Sequence, residues 1–120
     1  MGKTYKIIFT TGYDDDIESL SKGLKADVLI LDGNGQYYCT QFIAMERLMN
    51  EVASRRSVCY FEENLVIVDE ITKDVILKSI IELDQRLFYE YWKQLSNEWL
   101  EKYFYPKDDW VVFTVSIEDK

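Results

Sequence analysis

The sequence predicts an α+β fold, with a mixed or mostly antiparallel sheet of about five strands and helices packed mainly on one face. Three observations predict it: segments rich in β-branched and aromatic residues, a strong hairpin signal at residues 32–35, and helical segments that do not alternate strictly with the strands. The 120 residues contain no repeat and no Pro/Gly/Ser-rich linker, so a single domain over residues 1–120 is expected.

A strand and a short helix are predicted at the start of the chain. Residues 4–11 are rich in β-branched and aromatic side chains, and Gly12 ends this strand. Apolar residues then recur at helical spacing from Ile17 to Leu24, which predicts a helix capped by a preceding aspartate, with Gly23 near its end.

A hairpin and a second helix are predicted next. The continuous apolar run within residues 27–31 is typical of a strand covered on both faces. Asp32-Gly33-Asn34-Gly35 is a strong turn signal because Gly and Asn tolerate positive φ, and residues 37–43 form the return strand. Residues 44–55 predict an amphipathic helix. Its apolar stripe consists of Met45, Leu48, Met49 and Val52.

The middle of the chain predicts more strand structure and a third helix. Residues 58–61 and 65–68 are either two short strands or one strand with a bulge at the intervening Glu-Glu-Asn triplet. Thr72 is a good N-cap for a helix that extends to about Asp84. The predicted buried stripe of this helix consists of Val75, Ile76, Ile80 and Leu83.

A second helical segment is predicted from Gln85 to about Tyr103, before Pro106, because large apolar side chains recur along it at helical spacing. We expect this stripe to pack in the core, with a ligand pocket or a dimer seam as the alternatives. The stripe consists of Phe88, Trp92, Leu95, Trp99 and Tyr103. A final strand with one apolar face is predicted over residues 110–117.

The charge of the chain is negative and unevenly distributed. The formal net charge is -8; residues 1–60 carry 8 acids and 7 bases, a net -1, whereas residues 61–120 carry 14 acids and 7 bases, a net -7. Such a surplus repels nucleic acids and anionic membranes and attracts basic proteins, so a basic protein is the expected partner. Nine tyrosines, six phenylalanines and three tryptophans supply side chains of the kind that anchor interfaces.

The side chains needed for several kinds of catalysis are missing. The chain has no histidine, which excludes Ser-His and Cys-His nucleophiles and the commonest metal ligand. Cys39 and Cys59 lack the spacing of a metal knuckle or redox pair and are expected to be buried reduced thiols. No run resembles a signal peptide or a membrane span, so a cytoplasmic location is expected. No enzymatic activity and no cofactor are predicted.

Two acidic sites have competing interpretations. Asp14, Asp15 and Asp16 suit a divalent cation by their oxygen ligands, but their spacing does not match an EF-hand loop, and helix capping explains them as well. Asp69 and Glu70 follow a buried strand, where metal-dependent hydrolases place carboxylates, but a solvated strand-to-helix turn explains them too. A metal-binding regulatory domain and a metal-dependent hydrolase therefore stay open as alternatives.

Acidic residues beside aromatic ones occur in two places and predict a protein-binding surface. Rings supply the desolvated anchors of such a surface, and carboxylates steer a basic partner toward it. The first group consists of Tyr60, Glu62 and Glu63, with Asp69 and Glu70 expected to complete an acidic rim. The second group consists of Asp108, Asp109 and Trp110.

In overall character the chain resembles the bacterial immunity proteins that neutralise secreted toxins. The resemblance is carried by Gly23-Leu24-Lys25-Ala26-Asp27-Val28, by the turn at residues 32–35, and by Asn64-Leu65-Val66-Ile67-Val68-Asp69-Glu70-Ile71-Thr72. It implies a cytosolic inhibitor that masks a toxin domain, often a basic nuclease, with acidic side chains and aromatic anchors. The expected function is therefore non-enzymatic binding of a basic toxin or nuclease domain; the alternative is a small-molecule or metal-binding regulatory domain.

Overall fold

Five strands form one mixed sheet in the computed structural model, which describes residues 2–10, 23–55, 64–105 and 107–118. The strands are β1 (Lys3–Phe9), β2 (Leu24–Leu31), β3 (Tyr37–Ala44), β4 (Leu65–Val68) and β5 (Val111–Ile117). Their order across the sheet is β4-β3-β2-β1-β5, and every neighbouring pair is antiparallel except β3 and β4. The predicted α+β fold with about five strands is confirmed.

Within the described residues, three α-helices and two short 3₁₀ turns accompany the sheet. The helices are α1 (Met45–Arg55), α2 (Lys73–Gln85) and α3 (Asn97–Phe104), and the 3₁₀ turns cover Phe88–Glu90 and Lys107–Asp109. The predicted N-cap of α2 is confirmed, since the Thr72 side chain accepts a hydrogen bond from the Val75 amide at 3.1 Å. Among the described residues, no helix combines the length and the apolar character that a bilayer crossing requires.

The predicted hairpin between β2 and β3 is confirmed in detail. The Asp32 carboxylate accepts hydrogen bonds from the amides of Asn34 and Gln36, each at 2.9 Å, and Gly35 adopts φ 81°. An aspartate that caps its own turn and a glycine in the left-handed region are the features that this sequence supplies. β2 nevertheless begins earlier than predicted: Leu24, assigned to a helix from the sequence, is its first residue.

The larger part of the core lies on one face of the sheet. Alternate residues of β1 to β3 point to this face because side chains in a strand alternate between its two sides. Its buried members include Ile7, Ile30 and Phe42, and α2 contributes Ile76 and Ile80 from the predicted stripe. The opposite face carries a smaller cluster in which Leu100 of α3 packs against Ile8 and Leu29.

The end of α2 is tied to β1 by a buried polar contact. The Tyr5 hydroxyl donates to the Asp84 carboxylate at 2.5 Å, and the Lys3 ammonium lies 3.3 Å from the same oxygen. Asp84 is only 8% exposed, so these two donors replace the water that its carboxylate has lost. Burial and the Asp84 carboxylate both raise the pKa of Tyr5, because each disfavours the phenolate.

The predicted continuous helix from Gln85 to Tyr103 is wrong. Leu87 adopts a left-handed conformation with φ 57°, and its amide donates to the Asp84 carbonyl at 3.0 Å, which closes α2. An acidic residue in the last turn of a helix also opposes the helix dipole. The chain then turns so that Phe88 is fully buried against the rings of Tyr5 and Tyr38, with centroid distances of 5.7 and 5.2 Å.

A new helix starts after an extended segment. The Leu95 amide donates to the Tyr37 carbonyl at 2.7 Å, which holds this segment beside the start of β3. The Ser96 hydroxyl then accepts from the Trp99 amide at 3.2 Å and caps α3. The stripe predicted to pack as one surface is thus divided among the main core, the second core and solvent.

The apolar stripe predicted for α1 is only partly buried. Leu48 and Val52 are half-buried, as expected, but Met45 and Met49 are 49% and 65% exposed. Most of the helix predicted from Ile17 to Leu24, and the strand predicted at residues 58–61, lie outside the described residues.

Because of the Tyr5 contact, the free energy of unfolding should decrease at alkaline pH. A folded-state pKa above the unfolded value means that stabilisation is complete below about pH 10 and falls as pH rises. In urea unfolding, the wild type should lose about 1 kcal/mol more than Tyr5→Phe between about pH 9 and pH 11. Tyr91→Phe, which alters an exposed ring, should behave like the wild type; equal losses in wild type and Tyr5→Phe would contradict this role of Tyr5.

Candidate protein-binding surface

The described acidic residues of the predicted site lie at one end of the sheet but at opposite edges. Asp69 and Glu70 follow β4, whereas Asp108 and Asp109 precede β5, and all four are exposed. Because β5 runs opposite to β3 and β4, both pairs lie at the same end. Four strand spacings separate the two edges, roughly 19 Å. Tyr60, Glu62 and Glu63 lie outside the described residues. Of the first predicted group and its acidic rim, the structure therefore describes Asp69 and Glu70.

Trp110 belongs to a small cluster of two rings and a lysine, which we call the ring–lysine cluster (Tyr105, Lys107 and Trp110). The rings of Tyr105 and Trp110 are nearly perpendicular, with centroids 5.8 Å apart and an interplanar angle of 78°. The Lys107 ammonium lies 5.1 Å from the Tyr105 centroid and 5.3 Å from the Trp110 centroid. These distances are within the range of a cation–π interaction.

Trp110 is held in place rather than freely exposed. Its indole N–H donates to the Phe104 carbonyl at 3.0 Å, and its ring packs against the smaller core cluster. Tyr105, in contrast, is 42% exposed. The predicted anchor Trp110 therefore offers a fixed ring face, and Tyr105 offers the accessible edge of the same cluster.

An exposed pair of stacked aromatic residues lies on α3, and the sequence assigned both residues to the core. Trp99 and Tyr103 are 56% and 54% exposed, and their rings stack with centroids 4.7 Å apart and an interplanar angle of 28°. They are one helical turn apart, so they share a side of α3. Leu100 and Phe104, one position further along, share the side that faces the sheet.

This arrangement explains why sequence reasoning missed the pair. Residues 99–104 contain two adjacent apolar rows at i, i+4 spacing, and an eight-residue helix on the edge of a small core can bury only one of them. The signal that separates the rows is Ser96, because a cap at this position starts a new helix and resets its orientation. Tyr91, which was not part of the predicted stripe, is 65% exposed.

A groove of about 300 Å³ lies beside Trp99. Asn64 forms its wall: its side-chain amide donates to the Cys39 carbonyl at 3.1 Å and to the Lys93 carbonyl at 3.0 Å, and its carbonyl accepts from the Lys93 amide at 3.3 Å. Asn64 also has φ 50°, a conformation that asparagine tolerates better than most residues. The Asn64 side chain thus holds Lys93 beside the edge of the sheet by hydrogen bonds. Few of its donors and acceptors remain to bind a ligand.

Cys39 lines the same groove as a weak nucleophile. Burial and the neighbouring Asp27 carboxylate raise the pKa of the Cys39 thiol to about 12. The thiolate is the reactive form, so this thiol is almost entirely unreactive at neutral pH.

No group of three or more potential metal ligands occurs within the described residues. Asp69 and Glu70 are part of that described region, whereas the Asp14 to Asp16 triplet lies outside it.

Comparisons with protein-family models, with curated proteins and with solved structures gave no match.

The raised pKa of Cys39 gives a direct chemical prediction. At about pH 8, iodoacetamide should alkylate Cys39 about 10- to 100-fold more slowly in the folded protein than in urea. The raised pKa makes the thiolate of the folded protein rarer than that of the unfolded chain, and the greater nucleophilicity of each thiolate offsets only part of this loss. Peptide-resolved mass spectrometry separates Cys39 from Cys59. Asp27→Asn removes the neighbouring negative charge, and asparagine tolerates the φ of 57° at this position. This variant should recover part of the alkylation rate of Cys39. Equal rates in the folded and unfolded chains would show that Cys39 is not shielded.

Proposed function

We propose that this chain is a non-enzymatic binding protein that captures a basic protein through exposed aromatic residues and surrounding carboxylates. The observation that carries the proposal is the stacked pair Trp99 and Tyr103, which stands more than half exposed on α3. Tryptophan and tyrosine are enriched among the residues that contribute most to protein–protein affinity. A preassembled stack also loses little side-chain freedom on binding.

Electrostatics favour a basic partner. The formal net charge of -8 raises the encounter rate with positively charged proteins and opposes association with nucleic acids, anionic membranes or a second copy of the same chain. Glu98 and Glu101 are exposed on α3, the helix that carries the aromatic pair, and Asp108 and Asp109 follow it in the chain. Carboxylates around rings combine steering with desolvated contact.

The most concrete form of this proposal is an immunity-type inhibitor of a basic toxin or nuclease domain, acting in the bacterial cytoplasm. The resemblance to immunity proteins supports it, together with the acidity of the chain. The partner side of such a complex would bring arginine and lysine residues to the acidic end of the sheet.

A small-molecule regulatory role has weaker support. The groove beside Trp99 is at the small end of ligand-binding cavities. The polar amide of Asn64 in its wall already makes three hydrogen bonds within the chain.

The test compares immobilised wild type with the Trp99→Ala/Tyr103→Ala double variant in the retention of proteins from the source cells. A basic protein should be retained by the wild type and lost from the double variant, with affinity reduced about 30-fold or more. Ile81→Ala removes an exposed apolar side chain from α2 and is the matched control. Equal retention by wild type and double variant, or retention of acidic proteins only, would overturn the proposal.

A second measurement separates steering from anchoring in the same complex. Asp108→Lys/Asp109→Lys should lower the association rate and reduce its dependence on salt, while Trp99→Ala should mainly raise the dissociation rate. Both substitutions affect exposed residues, so urea unfolding should shift by less than about 1 kcal/mol in each.

A further inference from the structure

The ring–lysine cluster has the geometry of a binding site for a cationic side chain, and the chain's own Lys107 occupies it. Two rings meet at 78°, and the Lys107 ammonium lies between 5 and 6 Å from both centroids, at 5.1 and 5.3 Å. Perpendicular rings present two π faces to one cation, which is how proteins recognise cationic groups without an opposite charge.

The two rings differ in how firmly they are held. Trp110 is fixed by the bond from its indole N–H to the Phe104 carbonyl and by packing on the smaller core cluster. The Trp110 amide also donates to the Lys107 carbonyl at 3.0 Å, which sets the path of the short turn that carries the lysine. Trp110 is thus positioned by the fold, whereas Tyr105 is 42% exposed and Lys107 is an exposed side chain on a flexible stem.

The lysine is held by rings rather than by acids. In the part of the chain that the structure describes, no carboxylate lies within 4.0 Å of the Lys107 ammonium, although Asp108 and Asp109 are its immediate neighbours in sequence. Exposed cation–π contacts are weak, so a competing cation can displace the Lys107 ammonium from the two rings. The two exposed carboxylates then remain available to attract that cation.

We infer that Tyr105 and Trp110 form a recognition site for an arginine side chain of a basic protein, and that Lys107 fills this site in the free chain. Arginine is favoured over lysine because its planar guanidinium stacks on rings and is less strongly hydrated than an ammonium group. The inference rests on the proposed function and adds a second contact, separate from Trp99 and Tyr103. Lys107 acts as an internal competitor that lowers affinity for partners unable to displace it.

A peptide probe tests this site without the natural partner. The probe is an acetylated Gly-Arg-Gly-Arg-Gly amide, titrated at low salt by calorimetry and by tryptophan fluorescence. Lys107→Ala should bind it about two- to fivefold more tightly than the wild type, because the internal competitor is removed. The Tyr105→Ala/Lys107→Ala double variant should lose that gain, and a peptide with lysine in place of arginine should bind more weakly.

Removing any lysine makes the chain more acidic, so a charge-matched control is required. Lys78→Ala makes the same change on the exposed side of α2 and should leave peptide affinity near the wild-type value. Equal gains in Lys78→Ala and Lys107→Ala would show a general charge effect and overturn the inference, as would a gain that survives Tyr105→Ala.

The outcome is separable from that of the proposed function. Capture of a basic protein that depends on Trp99 and Tyr103, with no Lys107→Ala gain, would leave the binding function intact and reject the arginine site. A peptide gain without such capture would support the arginine site and reject the wider proposal. Urea unfolding of every variant confirms that each is folded, and Tyr105 and Lys107 are both exposed enough for Ala to be tolerated.

Discussion

The hydrogen bond from Tyr5 to Asp84 joins β1 to the end of α2, and the path of the following residues starts from this contact. A buried carboxylate must keep its donors, so Asp84 holds the last turn of α2 against β1. Leu87 then reverses the chain and Phe88 enters the main core beside Tyr5. The residues that follow cross to the other face of the sheet, and α3 presents Trp99 and Tyr103 to solvent as a result.

Local chemistry made several elements predictable. The Asp32 to Gly35 turn and the Thr72 cap depend on contacts a few residues apart, and both appear in the structure as predicted. The sequence also predicts the end of α2 near Asp84, but not the 3₁₀ turn and the extended segment that precede α3. Phe88 enters the main core beside Tyr5, and a helical repeat of large side chains does not reveal a partner so distant in the chain, so the sequence predicted a continuous helix over residues 85–103.

The proposed binding surface divides in the same way. Composition and charge predict an acidic protein with rings available for binding, and Asp108 and Asp109, which were assigned to that surface from the sequence, are exposed. Which rings are exposed depends on the orientation of α3 against the small second core. Lys107 lies near both Tyr105 and Trp110 because of the turn that carries it. That turn is held by the backbone carbonyls of Phe104 and Lys107, which accept hydrogen bonds from Trp110. Backbone contacts of this kind leave no sequence motif, so the cluster could not be predicted.

The exposure of Trp99 is the most direct test of this account, and acrylamide quenching of tryptophan fluorescence measures it. The wild type should contain one readily quenched component with the emission of a tryptophan in water, and Trp99→Phe should lack it. Trp92 and Trp110, which are half-buried, should supply the emission that remains. A Trp99 component that is blue-shifted and resists quenching would mean that the ring packs in the core, as a single continuous helix requires, and would contradict the account.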